Sequence, residues 1–283
     1  MELALGVVGV GNMGGAIVRG VLDRGLSPRV FLYDVDQARC DAFSGDSRVV
    51  VCSSLGELAS SCRVILLAVK PQVADEVLRE LSGHVGAEHT LVSIMAGVSI
   101  ARVRSSLSPR TAGGAESRGD AGGAGNVGGV VRVMPNAALV VGEGASTLSF
   151  EASVDPRVRA FTLRLFSSLG AAFELDERLM DAITGLSGSG PAYALEFLEA
   201  LADGGVKVGL PKDLSLRLAA QTLLGAVRLY LETGDHPAAL RDRVTSPGGT
   251  TIAGLHELNK AGFRGAVMDA VEAATRRSRE LGG

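Results

Sequence analysis

Leu3-Ala4-Leu5-Gly6-Val7-Val8 runs directly into Gly9-Val10-Gly11-Asn12-Met13-Gly14, and this junction decides the fold. The first six residues read as a buried strand over 3–8. Helical spacing follows over 12–22, with Ile17, Val18, Val21 and Leu22 on one side, and closes at Gly25, a C-cap position. A G-x-G-x-x-G run between a strand and a helix suits the pyrophosphate of a dinucleotide. Gly9 permits the tight turn, Gly11 lets the backbone approach the pyrophosphate, and Gly14 lets helix and strand pack closely. Glycine-rich turns are common, so the motif takes its weight from the strand before it and the helix after it.

Outward from this junction the chain alternates. Strands are expected over 30–33, 49–52, 64–69 and 90–95, with helices beginning near Pro71 and over 100–107. The continuous apolar run 64–69 fits a strand buried on both faces of a parallel sheet. Alternating β and α units at this spacing predict a doubly wound α/β sheet. Strands over 130–134, 145–150 and 171–175, with a helix over 156–169, complete a first domain spanning 1–175. Between them, residues 108–129 hold eight glycines without apolar period. They read as a long mobile loop, either an insertion without a catalytic part or a lid.

Ligands of open α/β sheets bind at the carboxyl ends of the strands. Asp34 closes the second strand about 20 residues beyond the glycines, where a carboxylate accepts hydrogen bonds from the adenosine ribose and repels a 2′-phosphate. That leans toward NADH over NADPH. Asp36 adds to the lean and Arg39 offsets it, and a solvated acid at a strand end is the alternative reading. Ala68-Val69-Lys70-Pro71 ends the fourth strand, and Pro71 fits a first helical turn. Lys70 either reaches a cofactor or is solvated. Ala96-Gly97 lies at the same edge on the next strand, where small residues leave room for a nicotinamide.

From Asp176 no strand-like run appears, and residues 176–283 read as an all-helical domain. Helices are expected over 179–186, 192–206 and 214–231. The Gly and Ser residues before Pro191 read as a capped helix start. The two longer helices are apolar on most sides and need burial from several directions. A second copy of the chain, with the helical domains interlocked, supplies that burial. The alternative is a bundle packed only on its own first domain.

Residues 242–258 carry the second chemical signal. Ser246-Pro247-Gly248-Gly249-Thr250-Thr251 places a turn, two glycines and three hydroxyls ahead of an apolar helical run. N–H groups at a helix start lack intrahelical partners, and the helix dipole adds positive charge there. Such a loop suits a small anion such as a carboxylate, or is simply an N-capped helix after a Pro-Gly turn.

Composition bounds the rest. A net charge of −3, no Trp and three Tyr give no electrostatic or stacking case for nucleic acid. Cys40, Cys52 and Cys62 form no metal-ligand or CxxC spacing and read as reduced thiols in a cytoplasmic protein. The four histidines are scattered, so no metal site is expected. The N-terminus lacks a basic leader, and no uncharged apolar run approaches the roughly 18 residues that cross a membrane.

Taken together, residues 8–14, Ala68-Val69-Lys70-Pro71-Gln72, Val133-Met134-Pro135-Asn136, 185–193, 202–211 and 244–255 resemble the pyrroline-5-carboxylate reductase family. The resemblance runs from end to end outside the Gly-rich loop. It implies an N-terminal Rossmann-type doubly wound sheet plus a C-terminal all-helical dimerisation domain. It also implies reduction of a cyclic imine to L-proline with NADPH or NADH, by a homodimer that often assembles further, commonly into decamers. By the same resemblance, Ser246, Gly248, Gly249, Thr250 and Thr251 bind the substrate, with Thr251 hydrogen-bonding the ring nitrogen as the catalytic residue. Gly9, Val10, Gly11, Asn12, Met13, Gly14, Ala68, Val69, Lys70, Pro71, Ala96 and Gly97 contact the cofactor. The loop comes from the helical domain across a dimer interface. Ala137-Ala138, Arg243 and Asp34 depart from the family pattern, Asp34 because many members end the second strand with polar residues that accept the NADP phosphate.

Orientation is expected to outweigh acid catalysis, because a threonine hydroxyl is a poor acid at its free pKa. Two rivals remain. A β-hydroxyacid dehydrogenase needs a lysine on a helix of the second domain, for which Lys207 and Lys212 are the nearby candidates. A non-catalytic NAD(P)-binding regulatory protein needs no Ser246–Thr251 loop.

Overall fold

Strand β1 (Leu5–Val8) is Leu-Gly-Val-Val with every residue buried, and it lies inside an eight-stranded sheet, third in order from one edge. The structure is a computed structural model that describes residues 3–108 and 126–282. The other strands are β2 (Val30–Tyr33), β3 (Val49–Val51), β4 (Val64–Leu67), β5 (Thr90–Ser93), β6 (Gly129–Met134), β7 (Gly144–Phe150) and β8 (Gly170–Glu174). Their order is β3-β2-β1-β4-β5-β6-β7-β8. All neighbours pair in parallel except β6 and β7, which are antiparallel. The first six strands follow the doubly wound dinucleotide-binding order, with β1 and β4 flanking the point where the winding reverses.

Period-two alternation sends side chains to opposite faces. Leu5, Val7, Val64 and Leu66 enter one core with helices α1 (Asn12–Asp23) and α6 (Pro156–Ser167). Val8, Ile65 and Leu67 enter the other with α3 (Leu55–Ser61), α4 (Ala74–Leu81) and α5 (Ile100–Leu107). Ile17, Val18 and Val21 of α1 are fully buried, each contributing about 1.5–3 kcal/mol relative to exposure. Between β2 and β3 the chain forms α2 (Gln37–Asp41).

Three details differ from expectation. Gly129, placed in the Gly-rich loop by sequence, is the first residue of β6 and pairs with Thr90. A Cβ there would lie 2.6 Å from Val154 Cγ2, so the glycine serves close packing. Residues 109–125 of that loop, and with them its reading as insertion or lid, lie outside the described residues. Pro71 opens a 3₁₀ turn (Pro71–Val73), and α4 begins only at Ala74. The single helix expected over 179–186 is a succession: a 3₁₀ turn (Glu177–Leu179), α7 (Met180–Ile183) and a π turn (Thr184–Gly188).

Two compact units result, residues 1–188 with 275–283, and residues 189–274. The boundary expected after residue 175 coincides with the end of β8, whereas the units divide after Gly188. The second unit contains α8 (Gly190–Lys207), α9 (Lys212–Thr233), α10 (Pro237–Arg243), α11 (Thr250–Lys260) and most of α12 (Phe263–Gly282). Many of its large apolar side chains are exposed in the single chain, among them Leu195, Val208, Leu218, Leu231 and Met268. No helix among the described residues is long and apolar enough to cross a membrane.

Cys40, Cys52 and Cys62 are free and buried in the first unit. Burial pushes their thiols up to about 11, 11 and 12. Cys62 Sγ donates to Leu58 O at 3.2 Å.

Candidate functional site

In the first unit the sequence-predicted cofactor residues gather at the carboxyl edge of β1, β2, β4 and β5. Gly9 follows β1 with φ +93°, and its N–H donates to Tyr33 O at 2.9 Å. A Cβ at Gly9 would lie 2.8 Å from the carbonyl carbon and oxygen of Ala68. One at Gly14 would lie 2.0 Å from Gly9 O and 3.1 Å from Ala68 Cβ. Packing therefore demands glycine at 9 and 14, with Ala68 touching both.

Gly11, the N-cap of α1, is different. A Cβ there would meet nothing nearer than Arg39 Nη1 at 3.8 Å. The fold itself has room for a side chain at 11, so its absence serves whatever approaches the loop. Gly11 offers no capping side chain and the first turn of α1 carries no acid, which leaves the amides of Asn12, Met13 and Gly14 for an anion. These features fit a dinucleotide pyrophosphate.

Asp34 lies at the end of β2, and the structure gives it a task the sequence does not show. Its Oδ2 accepts from the Val10 N–H at 2.7 Å, and its Oδ1 from the Asp36 N–H at 2.9 Å. The carboxylate, only 5% exposed, braces the glycine loop against β2. Arg39 of α2 places Nε 3.1 Å from Asp36 Oδ2 and Nη1 3.7 Å from Asp34 Oδ2.

Lys70 is exposed, and its backbone carbonyl accepts from the Val73 N–H at 3.1 Å. Ala96 is exposed and Gly97 turns with φ +73° just ahead of α5. Sequence reasoning missed what anchors this turn. Glu177 Oε1 accepts from the Ile100 N–H at 2.7 Å, at the start of α5, and lies 3.2 Å from Arg132 Nη1. The signal was available: Arg132 is a lone charge inside the apolar strand Gly-Val-Val-Arg-Val-Met, and a buried charge requires a partner. Asn136 Oδ1 accepts from the Ala145 N–H at 3.1 Å, and a 3₁₀ turn (Ala137–Val141) follows.

In the second unit, Ser246, Gly248 and Gly249 lie in the turn between α10 and α11, and Thr250 and Thr251 are the first two residues of α11. Gly248 is left-handed at φ +64°, and the Gly249 N–H donates to Ser246 O at 3.1 Å. A Cβ at Gly249 would lie 2.2 Å from Ser246 Oγ, so a side chain there would force the Ser246 hydroxyl to rotate away. Gly249 is the N-cap of α11 and makes no side-chain cap, which leaves the first-turn amides of Thr250 and Thr251 for an anion. Thr251 is half-buried, whereas Ser246 and Thr250 are exposed. Arg243 is occupied with Asp235, Nη2 to Oδ2 at 2.7 Å.

The Ser-capped start expected for α8 is not formed. Ser189 is already in helical conformation and makes no side-chain cap, because the π turn leads straight into the helix. Lys207 is the last residue of α8, and Lys212, the first of α9, pairs with Asp203. Neither is a mid-helix lysine of the kind the dehydrogenase rival needs.

Comparison with known proteins agrees with this geometry. Residues 177–281 match the model described as pyrroline-5-carboxylate reductase dimerisation, and residues 4–97 match that of NADP oxidoreductase, coenzyme F420-dependent. The chain is 42% identical over 285 residues to a pyrroline-5-carboxylate reductase of Synechocystis sp., covering 100% of this chain and 99% of that one. A pyrroline-5-carboxylate reductase structure from Coxiella burnetii superposes with TM-score 0.87 at 30% identity, covering 99% of each chain. A pyrroline carboxylate reductase from Plasmodium falciparum with NADP bound gives TM-score 0.82 at 32% identity over 100% of both chains. The chain belongs to the pyrroline-5-carboxylate reductase family.

Proposed function

We propose that this protein reduces Δ1-pyrroline-5-carboxylate to L-proline, the last step of proline biosynthesis. One observation carries the reading to the substrate: the Ser246–Thr251 turn, where a left-handed glycine and an uncapped helix start put free amides beside the Thr251 hydroxyl. The amides of Thr250 and Thr251, with Ser246 and the Gly248-Gly249 turn that lets the ligand come close, hold the substrate carboxylate. Thr251 hydrogen-bonds the ring nitrogen and fixes which face of the imine is presented. Pinning a small ring at two points lowers the entropic part of the barrier.

The glycine loop with Asp34, Ala68-Val69-Lys70-Pro71 and Ala96-Gly97 holds the cofactor, NADPH or NADH. Bound there, the reduced nicotinamide supplies the hydride. Residues 1–175 form the cofactor domain in this reading, and 176–283 the substrate and dimerisation domain. The exposed apolar side chains of the second unit support a homodimer, with assembly to a decamer as the further step. Three free, buried thiols suit a reducing compartment, the cytoplasm.

The test is a paired assay: reduction of pyrroline-5-carboxylate with each reduced dinucleotide, beside proline-dependent reduction of the oxidised forms at high pH. Turnover in both directions is expected. Dinucleotide binding without turnover in either direction overturns the reading.

A further inference from the structure

We propose that Arg39 admits the 2′-phosphate of NADPH to this site, and that without Arg39 the site favours NADH. The proposal rests on the cofactor reading of the glycine loop. An acid at the end of β2 ordinarily excludes a 2′-phosphate by repulsion. Here that acid is engaged on both oxygens. Asp34 takes the Val10 amide on Oδ2 and the Asp36 amide on Oδ1, and its side chain is almost entirely buried.

Arg39 stands over this arrangement. Its Nε faces Asp36 at 3.1 Å, its Nη1 lies 3.7 Å from Asp34 Oδ2, and the same Nη1 is the nearest atom to a Cβ built on Gly11. The guanidinium thus joins the pyrophosphate end of the glycine loop to the ribose end of β2. Half of its side chain is exposed, while the Asp34 carboxylate beneath it is closed off. A guanidinium is planar and presents five donors, so binding Asp36 through Nε leaves its outer N–H groups for a phosphate. Without Arg39, two carboxylates meet the incoming phosphate with no compensating charge.

Direct binding tests this without relying on turnover. NADP+ and NAD+ are titrated into the full-length protein by calorimetry, for wild type, Arg39→Ala and Arg39→Lys. Arg39→Ala is expected to weaken NADP+ roughly tenfold to a hundredfold, on the scale of hydrogen bonds to a charged group, and to leave NAD+ within about twofold. Arg39→Lys restores part of the NADP+ affinity, since it keeps the charge and loses the planar fork. Equal losses for both dinucleotides would make Arg39 a support for the Asp34 brace and overturn the proposal, as would unchanged NADP+ binding. The reductase reading fails separately, if wild type binds both dinucleotides and reduces no pyrroline-5-carboxylate with either.

Discussion

The molecule contains two glycine-rich turns that each open a helix, and they are held in different ways. The turn of residues 9–14 is held by its own unit. Gly9 and Gly14 are pressed against Ala68 and against each other, and Asp34 clamps the Val10 amide from 24 positions away. The turn of residues 246–251 is shaped by local backbone: a left-handed Gly248, a Gly249 crowded by Ser246, and a helix that buries none of its residues within the chain. In the proposed reading, the first turn is a preformed support for the dinucleotide. The second is a short positioning device whose amides and hydroxyl depend on three or four backbone angles. Substitutions should therefore cost stability in the first and catalysis in the second.

The largest expected effect is on catalysis. Thr251→Ala lowers kcat/KM roughly tenfold to a thousandfold, the scale of a lost hydrogen bond to a charged group, with thermal melting unchanged. Wild-type rates in that variant would remove Thr251 from the mechanism. Gly14→Ala is next. Its Cβ meets Gly9 O at 2.0 Å, so unfolding free energy should fall by about 3 kcal/mol, the upper part of the overpacking range. Denaturant titration checks this, and an unchanged midpoint would show that the loop yields. Gly248→Ala forces a side chain into the left-handed region, at about 1–2 kcal/mol. It should raise KM for the imine while dinucleotide binding, followed by fluorescence, stays constant. Gly11→Ala sharpens the contrast within the first turn. It costs about 1 kcal/mol or less in stability because its φ of −71° suits alanine, yet dinucleotide affinity falls at least about tenfold if the backbone is closely approached. Equal affinity would show that nothing approaches Gly11.

The smallest effect is acid sensitivity. Arg48 hydrogen-bonds Asp46 and holds its carboxyl down, from 3.8 to about 2. A depressed folded-state pKa means the ionised form favours folding. That contribution is complete above the unfolded value and is lost as pH falls through about 2. Asp46→Asn should lower stability slightly above about pH 3.8, where the contribution is complete, and converge on wild type as pH falls through about 2, as read by denaturant midpoints at successive pH values.

How far the sequence could be read depended on the range of the interaction. The β1–glycine–α1 junction was legible because strand, turn and helix are contiguous and each has its own period. The Ser246–Thr251 turn was legible for the same reason. Short α3 escaped notice although its cap is written locally: Ser54 Oγ accepts from the Glu57 N–H at 3.1 Å and Glu57 Oε2 from the Ser53 N–H at 2.7 Å. Seven residues, one of them Gly56, gave too little periodicity to register. The Asp34 clamp on Val10 spans 24 positions, and nothing local in the sequence specifies it. Arg39 was legible as a neighbour of Asp34 and Asp36 but not as a neighbour of Gly11, and Arg132 showed that it needed a partner but not that Glu177 supplies it. The π turn at Thr184–Gly188 was hidden because its composition is that of an ordinary helix start.

The distribution of sulfur has a practical consequence. All three thiols lie in the sheet-containing unit, Cys40 within α2, Cys52 just after β3 and Cys62 at the end of α3, with acidities suppressed to about 11–12. In the closed state a thiol-reactive probe near neutral pH meets neither access nor thiolate, so labelling waits for that unit to open. The rate of labelling then becomes a clock for the breathing of one half of the molecule. Its slowing on addition of a dinucleotide would read ligand protection without a catalytic assay.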